Sequence, residues 1–265
     1  MGKLFHHEAL RPQPTDYCGR IWKSDDRESL ARAIADLALG QCAHVERLLK
    51  STGSWQSIPA TYSIDSAIKS LTVPQGMDPW HRDGWVFQLI SWIAAIEESD
   101  GLTRFPQMDQ ASKGFDGFQL EFDPGTGKVA RAVISEDKAT DSPRDTVREM
   151  VWPEFVSIER GDRHPRIAVE IGALLNGRYS LESVTEAVDR LLRTPEGLAY
   201  RASVTAGQYH TQARDFNGLF NDFESSVPGS RARRRGNVLE VDNLRDWMDA
   251  LCFRAVEILK ADRHV

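Results

Sequence analysis

Apolar positions along the chain fall into two periods. Leu30, Ala33, Ile34, Leu37, Ala38, Val45, Leu48 and Leu49 recur three and four apart, which predicts helix, and Gly40 is placed to break that helix in two. Asp25 and Glu28 in front of the run read as a capping box. A short helix is expected over 63–71. Pro74, Gly76 and Pro79 then punctuate a loop that separates an N-terminal, mainly helical region (1–80) from the remainder (81–265). Residues 1–24 read as an irregular arm. Over 84–98, Trp85, Leu89, Trp92, Ile93 and Ile96 form one stripe, and Val86, Phe87 and Ile90 cover most of the rest. A helix apolar on nearly all sides belongs at the centre of a fold.

The period then changes to two. Phe118, Leu120 and Phe122 share one parity within an alternating run from Lys113 to Asp123, Pro124 to Gly127 make a turn, and 129–138 is a second strand, so the pair predicts a β-hairpin. Beyond it the pattern gives helices over 143–160, 165–176, 181–193 and 214–224, and a strand over 198–205. A loop at 225–236 carries Arg231, Arg233, Arg234 and Arg235. The last helix, 242–261, has Leu244, Trp247, Met248, Leu251, Val256 and Leu259 on one face. This mixture is that of an α/β protein.

Composition narrows the function classes. Lys+Arg total 33 against 39 Asp+Glu, a net charge of −6, which argues against a histone-like, wholly electrostatic nucleic-acid binder but leaves room for a local basic groove. The arginines of 231–235 suit phosphate contacts in such a loop; a solvated surface loop is the plain alternative. Three cysteines without a close pair exclude a disulfide scaffold and a Cys-based zinc site, and suit a reducing cytoplasm. The first residues lack a secretory apolar core, and the longest apolar run, Trp85 to Ile96, falls short of the roughly 20 residues a spanning helix needs. A cytoplasmic protein with no membrane partner is therefore expected. Neither H-E-x-x-H, G-x-S-x-G, G-x-G-x-x-G nor a P-loop is present, and His6-His7 alone is a weak metal tract. Trp80-His81-Arg82-Asp83 suits either a cleft lining or, through His81 or Asp83, a helix cap.

The hairpin carries the chemistry. Asp116 opens its first strand and Glu136-Asp137-Lys138 closes the second. Residues two apart on a strand share a face, so Glu136 and Lys138 point together, while Asp137 turns away and offers its carbonyl. Two carboxylates suit Mg²⁺ or Mn²⁺, which complete their shell with water and phosphate, and an adjacent lysine can steady developing negative charge. Register decides whether they meet. A four-residue loop at 124–127 sets Asp116 opposite Ser135; an odd loop, or one bulge at Gly117, sets it opposite Glu136, Phe118 opposite Ile134 and Leu120 opposite Ala132. The second register gives the cleaner apolar face and is preferred. The competing reading is a solvated Glu–Lys strand end with Asp116 as a turn residue.

The buried helix, then Phe115-Asp116-Gly117-Phe118, then Val133-Ile134-Ser135-Glu136-Asp137-Lys138 and a following helix resemble the PD-(D/E)xK nuclease superfamily. That resemblance implies a restriction-endonuclease-like αβββαβ core over about 81–206, with an N-terminal helical region and helical additions. It assigns Asp116 and Glu136 to the metal and Lys138 to catalysis, with Mg²⁺ or Mn²⁺ as cofactor and DNA as substrate; the strand geometry adds Asp137, through its carbonyl, as a further metal ligand. The family often has an acid on its first helix; this chain has Gln88 in mid-helix and Glu97 and Glu98 at the end. Phe115 stands where the family has proline. The Lys113 to Gly117 segment and the size also resemble the nuclease subunit of the Hachiman antiphage defence system, which implies a bacterial defence role beside a helicase-type partner. Two alternatives stand: a catalytically silent nuclease-fold subunit that binds and regulates a partner protein, and a hydrolase that uses paired carboxylates on another substrate.

Overall fold

In a computed structural model, which describes residues 3–24, 26–51, 63–110, 114–211 and 213–262, the hairpin forms part of a seven-stranded mixed sheet, beside one of its edge strands. The strands are β1 (His6–Ala9), β2 (Cys18–Lys23), β3 (Leu102–Thr103), β4 (Gly117–Phe122), β5 (Val129–Lys138), β6 (Leu198–Ala206) and β7 (Arg234–Glu240), in the order β1-β2-β7-β6-β5-β4-β3. β4 runs antiparallel to both β3 and β5; β6, β7 and β2 continue parallel to β5, and β1 closes that edge antiparallel. Helices α1 (Arg27–Ala38), α2 (Cys42–Leu49), α3 (Ile64–Leu71), α4 (Trp80–Glu98) and the terminal α11 (Leu244–Asp262) build one core with Leu4, Phe5, Trp22 and Leu239. On the other face, α5 (Pro143–Thr146) runs through a π-helical turn into α6 (Trp152–Glu159), followed by α7 (His164–Leu175), α8 (Leu181–Arg193), α9 (Ala213–Leu219) and α10 (Phe223–Ser226). These pack over Phe118, Leu120, Ala132, Ile134 and Tyr200. From α4 to β6 the order is helix, three antiparallel strands, helices, and a strand parallel to the third.

Both registers considered for the hairpin are used, at different heights. The turn is even: Asp123 N donates to Lys128 O at 2.9 Å, and the Asp123 carboxylate accepts from the Gly125 and Thr126 amides. Phe122 faces Val129, but Glu121 faces Arg131, so Ala130 is an extra residue. That bulge shifts the ladder by one, setting Phe118 opposite Ile134, Leu120 opposite Ala132 and Gly117 opposite Ser135. Asp116 thus comes level with Glu136. The bulge lies near the turn rather than at Gly117, because Asp123 holds an even turn that only a later insertion can correct.

Several local expectations are corrected. The arm 1–24 contributes β1 and β2, strands of 4 and 6 residues that are too short to show a period in sequence. The helix cap is Asp26, whose carboxylate accepts from Ser29 N at 2.9 Å; Asp25 lies outside the described residues, as does Lys113, and Glu28 instead grips Arg254 through two bonds of 2.6 and 2.7 Å. Gly40 does break α1 from α2, at φ +79°. α4 starts at Trp80, with the Asp78 side chain accepting from Trp80 N, so neither His81 nor Asp83 caps it. Asp83 and Arg82 are buried instead: Arg82 bridges Asp83 at 2.8 Å and Asp249 at 2.6 Å, and Asp83 also takes Arg245, which ties α4 to α11. Left-handed Asp222 splits the expected 214–224 helix into α9 and α10. The supposed loop 225–236 ends in a short 3₁₀ turn, Arg231–Arg233, and in β7. No helix among the described residues is long and apolar enough to cross a membrane.

Deleting Ala130 removes the bulge and leaves the pairs of β4 with β5 in register, whereas deleting Gln119, a paired residue in the middle of β4, turns Phe118 to the opposite face and sets Asp116 at the level of Ser135. The Gln119 deletion is expected to cost roughly 3 kcal/mol or more in urea unfolding, the scale of a disrupted core; an unchanged midpoint would contradict the register.

Candidate active site

Lys138, at the end of β5, donates from Nζ to Asp116 Oδ2 at 2.7 Å and to Glu136 Oε2 at 2.8 Å. The level pairing produced by the bulge makes this possible. Asp116 stands just before β4, where the ladder opens, and its Oδ2 also accepts from the Asp137 amide at 2.9 Å, replacing a strand partner. Its other oxygen, Oδ1, accepts from Gln88 Nε2 at 2.7 Å. Gln88, in the middle of α4, therefore occupies the position the sequence left open, while Glu97 and Glu98 sit at the far end of the helix. There Glu97 binds the Leu4 and Phe5 amides and both acids hold His7. His7 is thereby bound to carboxylates rather than acting with His6 as a metal tract.

Glu136 and Lys138 share the sheet face of Ala132 and Ile134; Asp137 lies on the opposite, α4-covered face and is 4% exposed. Its Oδ1 is buried without a hydrogen-bond partner among the described residues. The charge balance is uneven: Asp116 and Glu136 share the one Lys138 ammonium, and Asp137 is opposed by Arg201 and Lys138. Burial, then the negative charge of Asp116, raises the pKa of Glu136 to about 8 against the pull of Lys138. Burial and Asp116 likewise raise Asp137, to about 7. For Lys138, burial works to lower the pKa, but Glu136 and Asp116 outweigh it and hold the value above the ordinary lysine range. Lys138 is thus an ammonium here, a donor and charge stabiliser rather than a base.

These features fit a divalent cation. Two carboxylates converge, a third is close behind, and the deficit of positive charge is what a hard cation supplies. Among the described residues no three His, Cys, Asp or Glu side chains are arranged to hold a metal by themselves. Water and phosphate would have to complete the shell, as they commonly do for Mg²⁺.

Two arginines beside Asp116 have no signal in the sequence. Arg104 donates to the Phe115 carbonyl and pairs with Glu170 at 2.7 Å, and the Arg166 guanidinium lies 5.6 Å from the centre of the Phe115 ring. Each contact joins distant segments, so no local spacing reveals it. Glu154 on α6 adds a further negative charge felt by Glu136, and pairs with Arg163 at 2.9 Å. The arginine run behaves otherwise than expected of a solvated loop. Arg231 binds the Pro14 and Tyr17 carbonyls, Arg233 the Leu198 carbonyl and Glu159, Arg234 the Val227 and Gly229 carbonyls, and Arg235 both oxygens of Glu121. Arg233 and Arg234 are buried. Their guanidiniums join segments of the fold.

The raised Glu136 pKa has a signed consequence. The stability this group contributes is full below its unfolded value near 4.5 and is lost as pH rises through about 8. Glu136→Gln removes that titration. Without divalent cations it is expected to stabilise the chain by about 1–3 kcal/mol at pH 8.5 and to change little at pH 4.5. Thermal melts in chelator at both pH values check this, and a variant less stable than wild type at pH 8.5 contradicts it. Lys138→Met leaves the acids unopposed and is expected to cost about 3–5 kcal/mol at pH 8.5 in the same melts, the scale of breaking a buried ion pair.

Neither a protein-family model nor a curated protein matches this chain.

Proposed function

We propose that the protein is a metal-dependent nuclease that hydrolyses phosphodiester bonds of DNA. The observation that carries the reading is the placement of Lys138 Nζ between Asp116 and Glu136, at 2.7 and 2.8 Å, where an antiparallel strand pair opens beside a buried helix. The order of elements from α4 to β6 agrees with the αβββαβ order of PD-(D/E)xK nucleases, and Gln88 reaches the site from the helix position where that family often carries an acid.

When bound, a divalent cation supplies Lewis-acid stabilisation to a phosphate oxygen and activates water. Asp116 and Glu136 would hold it. Gln88 and the Asp137 amide fix the Asp116 carboxylate through both oxygens, so its orientation does not depend on the cation. Lys138 directs its ammonium toward the water and the charge that develops on the transferred phosphate. Arg104 and Arg166 put positive charge next to Phe115, on the approach to Asp116, where a nucleic-acid backbone can be met.

A net charge of −6 suits an enzyme that takes much of its DNA affinity from elsewhere. A helicase-type partner in a bacterial antiphage system, as the resemblance to the Hachiman nuclease subunit implies, would provide it in the cytoplasm. One observation favours a second reading, a catalytically silent subunit that regulates its partner: the helix position carries an amide rather than an acid.

Linear DNA incubated with Mn²⁺ or Mg²⁺ separates the two. Wild type is expected to cut, and Glu136→Ala and Lys138→Ala are expected to lower the rate by about 10²–10³-fold or more. Cleavage by both variants at the wild-type rate refutes the assignment. Absence of cleavage together with absence of carboxylate-dependent Mn²⁺ binding supports the silent subunit.

A further inference from the structure

A second polar cluster occupies the α4-covered side of the sheet, the face opposite Glu136 and Lys138. Arg201 on β6 and Arg235 on β7 lie directly across from one another. Like charges so placed repel. Glu121 takes both arms of Arg235 at 2.7 Å. Glu98 meets Arg201 at 3.4 Å and Arg20 at 3.8 Å, and is shared with His7 and Trp22. Arg131 bonds to carbonyls, those of Glu196 at 3.4 Å and Ala232 at 3.2 Å. Four guanidiniums therefore face these two acids and Asp137, whose charge also reaches Arg201. Among the described residues, Arg201 Nε and Asn237 Nδ2 are buried with no hydrogen-bond partner, and Asn237 is 1% exposed. A cavity of about 340 Å³ opens at this point, lined by Cys18, Arg20, Arg131, Arg235 and Asn237 together with the two acids.

We infer that this cavity binds a small molecule through a phosphate group. The volume is at the lower end for small-ligand sites. Arg20 and Arg131 enter from β2 and β5, with β7 and β6 between them, so donors approach from opposite walls. A tetrahedral phosphate uses donors from several directions, whereas a planar carboxylate is satisfied by a single guanidinium fork. The buried amide of Asn237 adds a neutral partner on the floor. The lining residues lie on the sheet face opposite Glu136 and Lys138: Arg131 is seven residues from Lys138 along β5, and Asn237 and Arg20, level with Asp137, stand two and three strands from β5, about 10 and about 14 Å at about 4.8 Å per strand. The inference therefore does not depend on the nuclease reading.

Cys18 reports on occupancy, because it is half-buried at the cavity while Cys42 and Cys252 are buried. Maleimide labelling of the full chain is followed by mass spectrometry, with Cys18→Ser as the control for site. Inorganic phosphate or pyrophosphate at about 10 mM is expected to slow labelling at least about five-fold relative to chloride at equal ionic strength. Arg20→Met with Arg131→Met is expected to remove the protection while labelling of the ligand-free chain continues. Arg20→Gln alone, at a half-exposed position, serves if the double variant does not fold. Absence of protection, equal protection by chloride, equal protection in the variants, or protection by citrate but not phosphate would each overturn the inference.

Discussion

The extra residue at Ala130 sets the height at which β4 meets β5, and most of the molecule's organisation follows from that height. With the ladder shifted by one, Phe118 and Leu120 face the layer built by α6, α7 and α8, and the same shift brings Asp116 level with Glu136. A single backbone irregularity thus serves packing and chemistry together. The reason is geometric: side chains alternate along a strand, so no register can bury the apolar residues of β4 without also fixing where its first acid stands.

The site is held by polar contacts that do not neutralise it. Asp116 is well supplied with donors, from Gln88, the Asp137 amide and Lys138. Glu136 has Lys138, and Asp137 retains a buried oxygen without a partner. Burial without sufficient positive charge pushes both acids up, so that their protons exchange near neutral pH. Such unmet charge lowers the stability of the resting fold and marks functional sites more often than structural ones. On the sheet face opposite Glu136 and Lys138 the imbalance has the opposite sign, with guanidiniums in excess over carboxylates around Arg201 and Arg235.

Long, strongly periodic elements were legible in the sequence, and so was the meeting of Asp116, Glu136 and Lys138. The uniform greasiness of Trp85 to Ile96 marks a central helix, and the alternation of 118–122 marks the strand that begins just after Asp116. What the sequence did not disclose depends on partners distant along the chain. β1 and β2 are short and gain their order from β7. Arg231 to Arg235 read either as phosphate contacts in a loop or as a solvated charge run, yet two of them are buried because carbonyls from 198 and 227–229 reach them. Arg104 and Arg166 come to the site through contacts across 11 and 51 residues, and no local pattern encodes those. The Ala130 bulge was predictable in kind, since the apolar face demanded an odd shift, but its position depended on the hydrogen bonds of the Asp123 turn.

The central claim is that Asp116 and Glu136 together form a divalent-cation site governed by their shared charge. Electron paramagnetic resonance titration of Mn²⁺ tests it most directly. The account predicts binding by the wild-type chain that tightens from pH 6 to pH 8.5 as Glu136 gives up its proton, and that is lost in both Asp116→Asn and Glu136→Gln. Binding of Mn²⁺ with the same affinity in those two variants, or an affinity indifferent to pH over that range, would contradict it.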